Sequence, residues 1–152
     1  MEHNRYEFRK IGTGEAEAIK ALFVSVFTEE PWNDDWSNAE QLEAYINDLT
    51  GQSCSLAYGL YEGGALIGVS MGRIWHWYSG TEYYIDEFCI KTAEQGKGIG
   101  TFFLKEIEKA IKELGMTQMF LQTARDVPAY EFYVKNGFYE MKEYASLAKE
   151  FE

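Results

Sequence analysis

With two prolines, two cysteines and two histidines in 152 residues, this chain lacks the material for several kinds of protein. Cys54 and Cys89 are too few for a disulfide framework; each falls in an apolar, strand-like stretch, which reads as two buried free thiols. Neither cysteine has a histidine near it in sequence, so no zinc-ligand spacing exists and no metal is expected. No uninterrupted apolar run approaches the ~20 residues of a membrane span, and Met1–Lys10 is too polar for a signal peptide. The reading is a soluble cytoplasmic protein with no membrane partner. Positive charge is scarce as well: the formal net charge is −11, which argues against nucleic acid as a partner. From Ala21 to Gly72 there is no Lys or Arg, yet this stretch holds eight acids, Glu29, Glu30, Asp34, Asp35, Glu40, Glu43, Asp48 and Glu62.

Linkers, repeats and low-complexity segments are absent too, so residues 1–152 read as a single domain, long enough to bury one sizeable core. Tyr6–Ile11 alternates weakly, as a first strand does. Thr13 is the N-cap candidate for a helix carrying Ile19, Leu22, Phe23 and Val26 on one face, with Pro31 as its stop. Ser37-Asn38-Ala39-Glu40 fits a Ser-x-x-Glu capping box, followed by Leu42, Tyr45, Ile46 and Leu49 at helical spacing. Strand-like runs Ser55–Tyr61 and Ala65–Trp77 flank a Glu62-Gly63-Gly64 turn, and a further strand covers Glu82–Lys91. Ile99, Phe103, Ile107, Ala110, Ile111 and Leu114 then define the clearest helix, stopped by Gly115. Gln118–Thr123 reads as a strand reached by a helical crossover, hence parallel to its predecessor. Val127–Asn136 is a short helix with Pro128 in its first turn, and Tyr139–Leu147 supplies one or two last strands. The resulting order is β-α-α-β-β-β-α-β-α-β, an α/β (α+β) chain with a mixed, mostly antiparallel sheet of about six or seven strands and about four helices.

Between the strand ending near Lys91 and the helix beginning near Ile99 lies Glu94-Gln95-Gly96-Lys97-Gly98-Ile99-Gly100-Thr101. Glycine reaches positive φ without steric cost, so alternate glycines can turn successive N–H groups toward one point. The helix start adds its unpaired first-turn donors and the positive end of the macrodipole, and Lys97 adds a charge. Such a loop suits a pyrophosphate. The spacing is neither that of a P-loop nor that of the dinucleotide fingerprint.

The pattern Gln95-x-x-Gly98-x-Gly100 resembles the acetyl-CoA signature Arg/Gln-x-x-Gly-x-Gly/Ala of the GNAT superfamily of N-acetyltransferases. A second stretch, Ala129-Tyr130-Glu131-Phe132-Tyr133-Val134-Lys135-Asn136-Gly137-Phe138, resembles that family's Ala-x-x-Phe-Tyr-x-x-x-Gly-Phe, and the element order is similar as well. The resemblance implies acetyl-CoA as cosubstrate, with the loop Gln95, Gly96, Lys97, Gly98, Ile99, Gly100 and Thr101 at its pyrophosphate. It also implies backbone contacts from Phe88, Cys89 and Ile90 to the pantetheine arm, in a gap where the fourth strand and the next one splay apart. The side chains of Phe88 and Ile90 read as core packing.

Family mechanism supplies a tyrosine to protonate the departing thiolate, and Tyr133 holds that motif position. A backbone N–H of the fourth strand would stabilise the oxyanion. An amine attacks only when neutral, and a free alkylamine has a pKa near ~10.4, so a base is required. Asp86 and Glu87 are the candidates; strict strand alternation would put them on opposite faces, and Asp86, sharing a face with Tyr84, is preferred. For the acceptor, the resemblance makes the segment between the first two helices one cleft wall. There Glu30 and Trp32 could meet a cation by ion pairing and cation–π contact; Trp75, Trp77 and Tyr78, at the far end of the third strand, could form another wall, and Tyr84 is a further candidate acceptor contact. The leading expectation is a small cationic amine acceptor, a polyamine or an aminoglycoside-like polyamine. Acetylation of a protein N-terminus or lysine, and a non-catalytic acyl-CoA-binding module, stand beside it; oligomeric state is open between monomer and homodimer.

Overall fold

Five strands form one sheet whose spatial order is their chain order, β1 to β5. The structure, a computed structural model, describes residues 5–152. These fall into two units, one ending at Gln122 and one running from Thr123 to Glu152.

In the first unit β1 (Tyr6–Ile11), β2 (Ser55–Glu62), β3 (Ala65–Trp77) and β4 (Gly80–Ile90) pair antiparallel in succession. The β2–β3 hairpin turns on Gly63 and Gly64, both at positive φ (56° and 82°), as a tight two-residue hairpin requires. The crossover helix α3 (Ile99–Glu113) then brings β5 (Gln118–Leu121) parallel to β4, as the helical connection predicts.

Both sheet faces are covered, which explains why nearly every residue of β2 is buried. Helices α1 (Ala16–Phe27) and α2 (Ala39–Thr50) pack Ile19, Phe23 and Ile46 against Ala57, Val69, Met71 and Cys89. On the other face α3 packs Phe103, Ile107 and Ile111 against Leu60, Ile67, Tyr83 and Ile85. The hydroxyl of Tyr83, wholly buried there, donates to the Leu56 carbonyl at 3.0 Å and lies 2.9 Å from the Ser70 hydroxyl, so its burial leaves no orphaned polar group.

One irregularity in the sheet matters for function. Met71 pairs with Glu87 but the next residue, Gly72, pairs with Ile85, so Asp86 is an extra residue in β4 and forms a β-bulge. Gly72 is required opposite it: a Cβ there would lie 2.2 Å from the Tyr84 carbonyl oxygen.

Several local expectations are corrected. A single 3-10 turn, Thr13–Glu15, precedes α1, so Thr13 lies inside that turn and does not cap the helix; Gly12 caps the turn, its N–H donating to Glu15. Helix α1 ends at Phe27, before Pro31 is reached. The cap of α2 is Asn38, one residue after the expected Ser37, with its Oδ1 accepting from the Gln41 N–H at 3.1 Å. Leu114 is exposed, and so is Cys54, which precedes β2 instead of being buried in it; only Cys89 is a buried thiol.

In the second unit α4 (Pro128–Lys135) has Pro128 at its start, and Gly137, at φ 92°, follows its end. No strand follows α4 among the described residues: Tyr139–Leu147 has no ladder partner, and the sheet has five strands in place of six or seven. Tyr139, Tyr144 and Leu147 are exposed there, and a strand needs a neighbour that sequence pattern does not supply. Among the described residues no helix is long and apolar enough to cross a membrane.

Candidate active site

The glycine loop adopts the conformation its composition demands. Gly96 and Gly98 both take left-handed φ, 79° and 80°, and Gly98 is the N-cap of α3, with no side chain closing the helix start. Phe102 N–H reaches back to the Gly98 carbonyl at 3.1 Å. The N–H groups from Gly96 to Thr101, Ile99 and Gly100 among them, meet no loop or cap acceptor among the described residues. A Cβ at Gly96 or Gly98 would meet no atom within 4 Å, so the space beside these donors is open. Free N–H groups, open space and a helix N-terminus fit the pyrophosphate of acetyl-CoA. Gln95 does not point into this space: its Nε2 donates to the Ile90 carbonyl at 2.8 Å and ties the loop to the end of β4. Lys97 pairs with Glu94 at 3.3 Å on the surface.

Below the loop, β4 and β5 part company. Their ladder runs only from Glu82 opposite Gln118 to Ile85 opposite Leu121, where β5 stops. Asp86 to Ile90 continue β4 with no β5 residue beside them, so the stretch containing Phe88, Cys89 and Ile90 borders a gap. The side chains of Ile90 and Phe88 pack toward α3, Phe88 stacked on Phe103 with ring centroids 5.4 Å apart. Cys89 packs on the other face, and burial, with Glu87 next in effect, pushes its thiol pKa far up, which makes it inert.

The bulge overturns the expectation that Asp86 and Glu87 face opposite ways. Glu87 pairs with Met71 on the face covered by α1 and α2, and Asp86 bonds Arg73, the next β3 residue on that face. Both carboxylates therefore serve one side of the sheet. Asp86 is held by Arg73 through two hydrogen bonds, while the Arg73 guanidinium lies against the Tyr84 and Trp75 rings, 5.0 and 5.4 Å from their centroids. Trp75 and Tyr84 stack at 6.1 Å, and Tyr84 meets Phe120 at 5.2 Å. Glu87 accepts a hydrogen bond of 2.5 Å from the Tyr45 hydroxyl of α2. Burial raises its pKa above the ordinary value; the Tyr45 bond opposes this, and the nearby charges of Asp86 and Asp34 add to it.

At the α1–α2 connection Trp32 folds onto Phe27, centroids 5.5 Å apart, and is partly buried, whereas Glu30 is exposed. Trp36 stacks at 5.2 Å on Tyr45, the residue bonded to Glu87. Tyr133 is buried in the second unit, its ring edge-on to Phe132 and Phe138 at 5.3 and 5.4 Å. Sequence reasoning missed Tyr45, Arg73 and Gly72. Tyr45 breaks the apolar face of α2 with a hydroxyl, and Arg73 is the first cation after the Lys/Arg-free stretch; those were the available signals.

A sheet covered on both faces, opened between β4 and β5 beside an anion-ready helix start, defines the acyltransferase class to which the sequence motifs pointed. The model of the acetyltransferase (GNAT) family matches residues 16–138, and the chain belongs to that family, whose members use acetyl-CoA. Solved structures agree on the fold. An aminoglycoside acetyltransferase from an uncultured soil metagenomic sample, in complex with sisomicin, superposes with a TM-score of 0.75 at 16% identity, covering 98% of each chain. An aminoglycoside N-acetyltransferase in complex with CoA gives 0.74 at 13% identity, over 95% of this chain and 94% of that one. A ribosomal-protein-alanine N-acetyltransferase from Brucella melitensis also gives 0.74, at 14% identity over 96% and 99%. A search of curated proteins found no match.

Proposed function

We propose that this acetyltransferase acts on a primary amine of a small cationic acceptor, a polyamine or an aminoglycoside-like compound. The observation that carries the reading is the placing of Asp86 and Glu87 on one sheet face, with Asp34 close enough to influence Glu87. A cationic acceptor offsets the repulsion among these carboxylates. The aminoglycoside acetyltransferases among the similar structures support the same class.

Acetyl-CoA supplies the acyl group as a thioester. The donors of Gly96 to Thr101 hold its pyrophosphate, and backbone groups of Phe88 to Ile90 hold the pantetheine arm. Glu87 is the base we assign, since Asp86 is occupied by Arg73 on both oxygens while, among the described residues, only one Glu87 oxygen is bonded. The ammonium of the acceptor gives one proton to Glu87, and the neutral nitrogen attacks the acyl carbon; as the C–S bond breaks Tyr133 gives a proton to the sulfur, and the second proton lost by the acylated nitrogen restores the Tyr133 hydroxyl. Glu30, Trp32 and Trp75 remain candidate acceptor contacts.

Acetyl-CoA with sisomicin, spermidine or a peptide bearing an N-terminal alanine, followed by free-thiol release, tests the reading. Turnover with sisomicin or spermidine is expected; turnover with the peptide alone would replace the small-amine reading by protein acetylation. Tyr133→Phe should keep CoA binding and lose turnover, whereas a non-catalytic binding module has no turnover to lose.

A further inference from the structure

Among the described residues, Glu87 is hydrogen-bonded by one side chain from outside the sheet. The Tyr45 hydroxyl donates to Glu87 Oε2, and Oε1 has no partner among the described residues. The Tyr45 ring is itself fixed: it lies nearly parallel to Trp36, with 15° between planes, and meets Phe23 at 5.9 Å. Phe23 is in turn edge-on to Trp36 at 5.3 Å, so α1, α2 and their connection all brace this one tyrosine. The bulge at Asp86 brings Glu87 to this face, and α2 supplies the donor that receives it there.

We propose that Tyr45 is a positioning residue for acetyl transfer, binding Glu87 Oε2 so that Oε1 alone is presented to the acceptor's ammonium group. The inference rests on the assignment of Glu87 as base. Burial foremost, and then the bond to Glu87, raise the Tyr45 pKa, so its hydroxyl stays protonated and donates throughout the working range. In the proton transfer the N–H bond of the acceptor ammonium breaks and an O–H bond forms at Oε1; the nitrogen keeps the electron pair that then attacks. The Tyr45 bond to Oε2 persists in both states of Glu87. That bond favours the ionised carboxylate, against the effect of burial and of the charges of Asp86 and Asp34; Cys89, on the same strand, stays neutral, and the Arg73 charge is engaged by Asp86.

Removing the hydroxyl while keeping the ring isolates this role. Tyr45→Phe should leave acetyl-CoA binding near that of the parent and lower the thermal midpoint by only a few degrees. It should raise the Glu87 carboxyl pKa by about one unit, the scale of one lost hydrogen bond. That pKa is read from the side-chain 13C carboxyl resonance missing in Glu87→Gln, which needs no acceptor. With an active acceptor, the acidic limb of the kcat/KM profile should move to higher pH by the same amount. Adding Tyr45→Phe to Glu87→Gln should cause no further loss. An unmoved Glu87 resonance, or a loss that adds in full to that of Glu87→Gln, would overturn the positioning role. A Glu87→Gln enzyme as active as the parent would overturn the base assignment and, with it, this inference; an impaired Glu87→Gln with an unshifted Tyr45→Phe overturns this inference alone.

Discussion

Arg73 and Asp86 are joined side by side across β3 and β4, Nε to Oδ2 at 3.2 Å and Nη2 to Oδ1 at 2.8 Å, next to a second carboxylate that has no cation partner among the described residues. The pairing separates two acids that are adjacent in sequence: one is spoken for by a guanidinium, the other by a phenol.

Their substitution should therefore give unequal losses. Loss of a general base lowers turnover by roughly 10²–10⁴-fold, so Glu87→Gln should fall in that range. Asp86→Asn removes the partner of a half-exposed arginine and should stay within about tenfold of the parent, in keeping with the small worth of solvent-screened pairs. Steady-state kinetics with one acceptor decides it. A larger loss at Asp86 than at Glu87 would reverse the assignment of the base.

Glu87 should also shape stability against pH. Its folded pKa is raised, so the protonated form is the one the fold favours. That contribution is complete below the unfolded value, near ~4.3, and is lost as pH rises through the folded one, above which the charge is buried. Glu87→Gln removes that burden. Urea midpoints at about pH 8 should rise relative to the parent, and the gain should shrink toward about pH 4; a gain equal at both would point to another cause.

Gly72→Ala tests the bulge itself. The added methyl would lie 2.2 Å from the Tyr84 carbonyl oxygen and 2.7 Å from the Tyr83 ring, contacts that only a backbone shift can relieve. Overpacking costs about 1–3 kcal/mol, and backbone opposition puts this substitution at the upper end. Because relief would displace Asp86 and Glu87 together, activity in the folded fraction should fall as well. Chemical denaturation paired with kinetics measures both, and an unaffected midpoint would contradict the close approach.

The two thiols should separate cleanly under a thiol reagent. Cys54 is exposed and should react within the mixing time; Cys89 is buried, with its thiol pKa pushed up, and should react only with unfolding. Counting released chromophore in buffer and in denaturant distinguishes them, and rapid reaction at both native thiols would show that β4 opens.

Legibility in the sequence followed the range of the interaction. Gly96 and Gly98 could be read because their demand is local: left-handed φ before a helix is a property of the residue. Helix α3 could be read from its 3.6-residue period, and the parallel setting of β5 from the handed crossover that delivers it. The cap of α2 was misplaced by one residue because Ser37 and Asn38 have the same capping chemistry, and only backbone geometry chooses between them. The last strands failed because Tyr139–Leu147 carries the pattern of a strand without the partner that would make one.

The sequence by itself determined the class of this protein: a glycine loop of fixed spacing and an aromatic motif around Tyr133 are contiguous, and contiguous signals need no fold to be assembled. The division of labour between Asp86 and Glu87 was decided only by tertiary structure. One extra residue in β4 cancels the two-residue alternation, and that extra residue exists only because Gly72, fourteen positions earlier, leaves room for it across the ladder. Tyr45 and Arg73 reach these carboxylates through packing of α2 and pairing of β3, contacts between distant parts of the chain that no local pattern encodes.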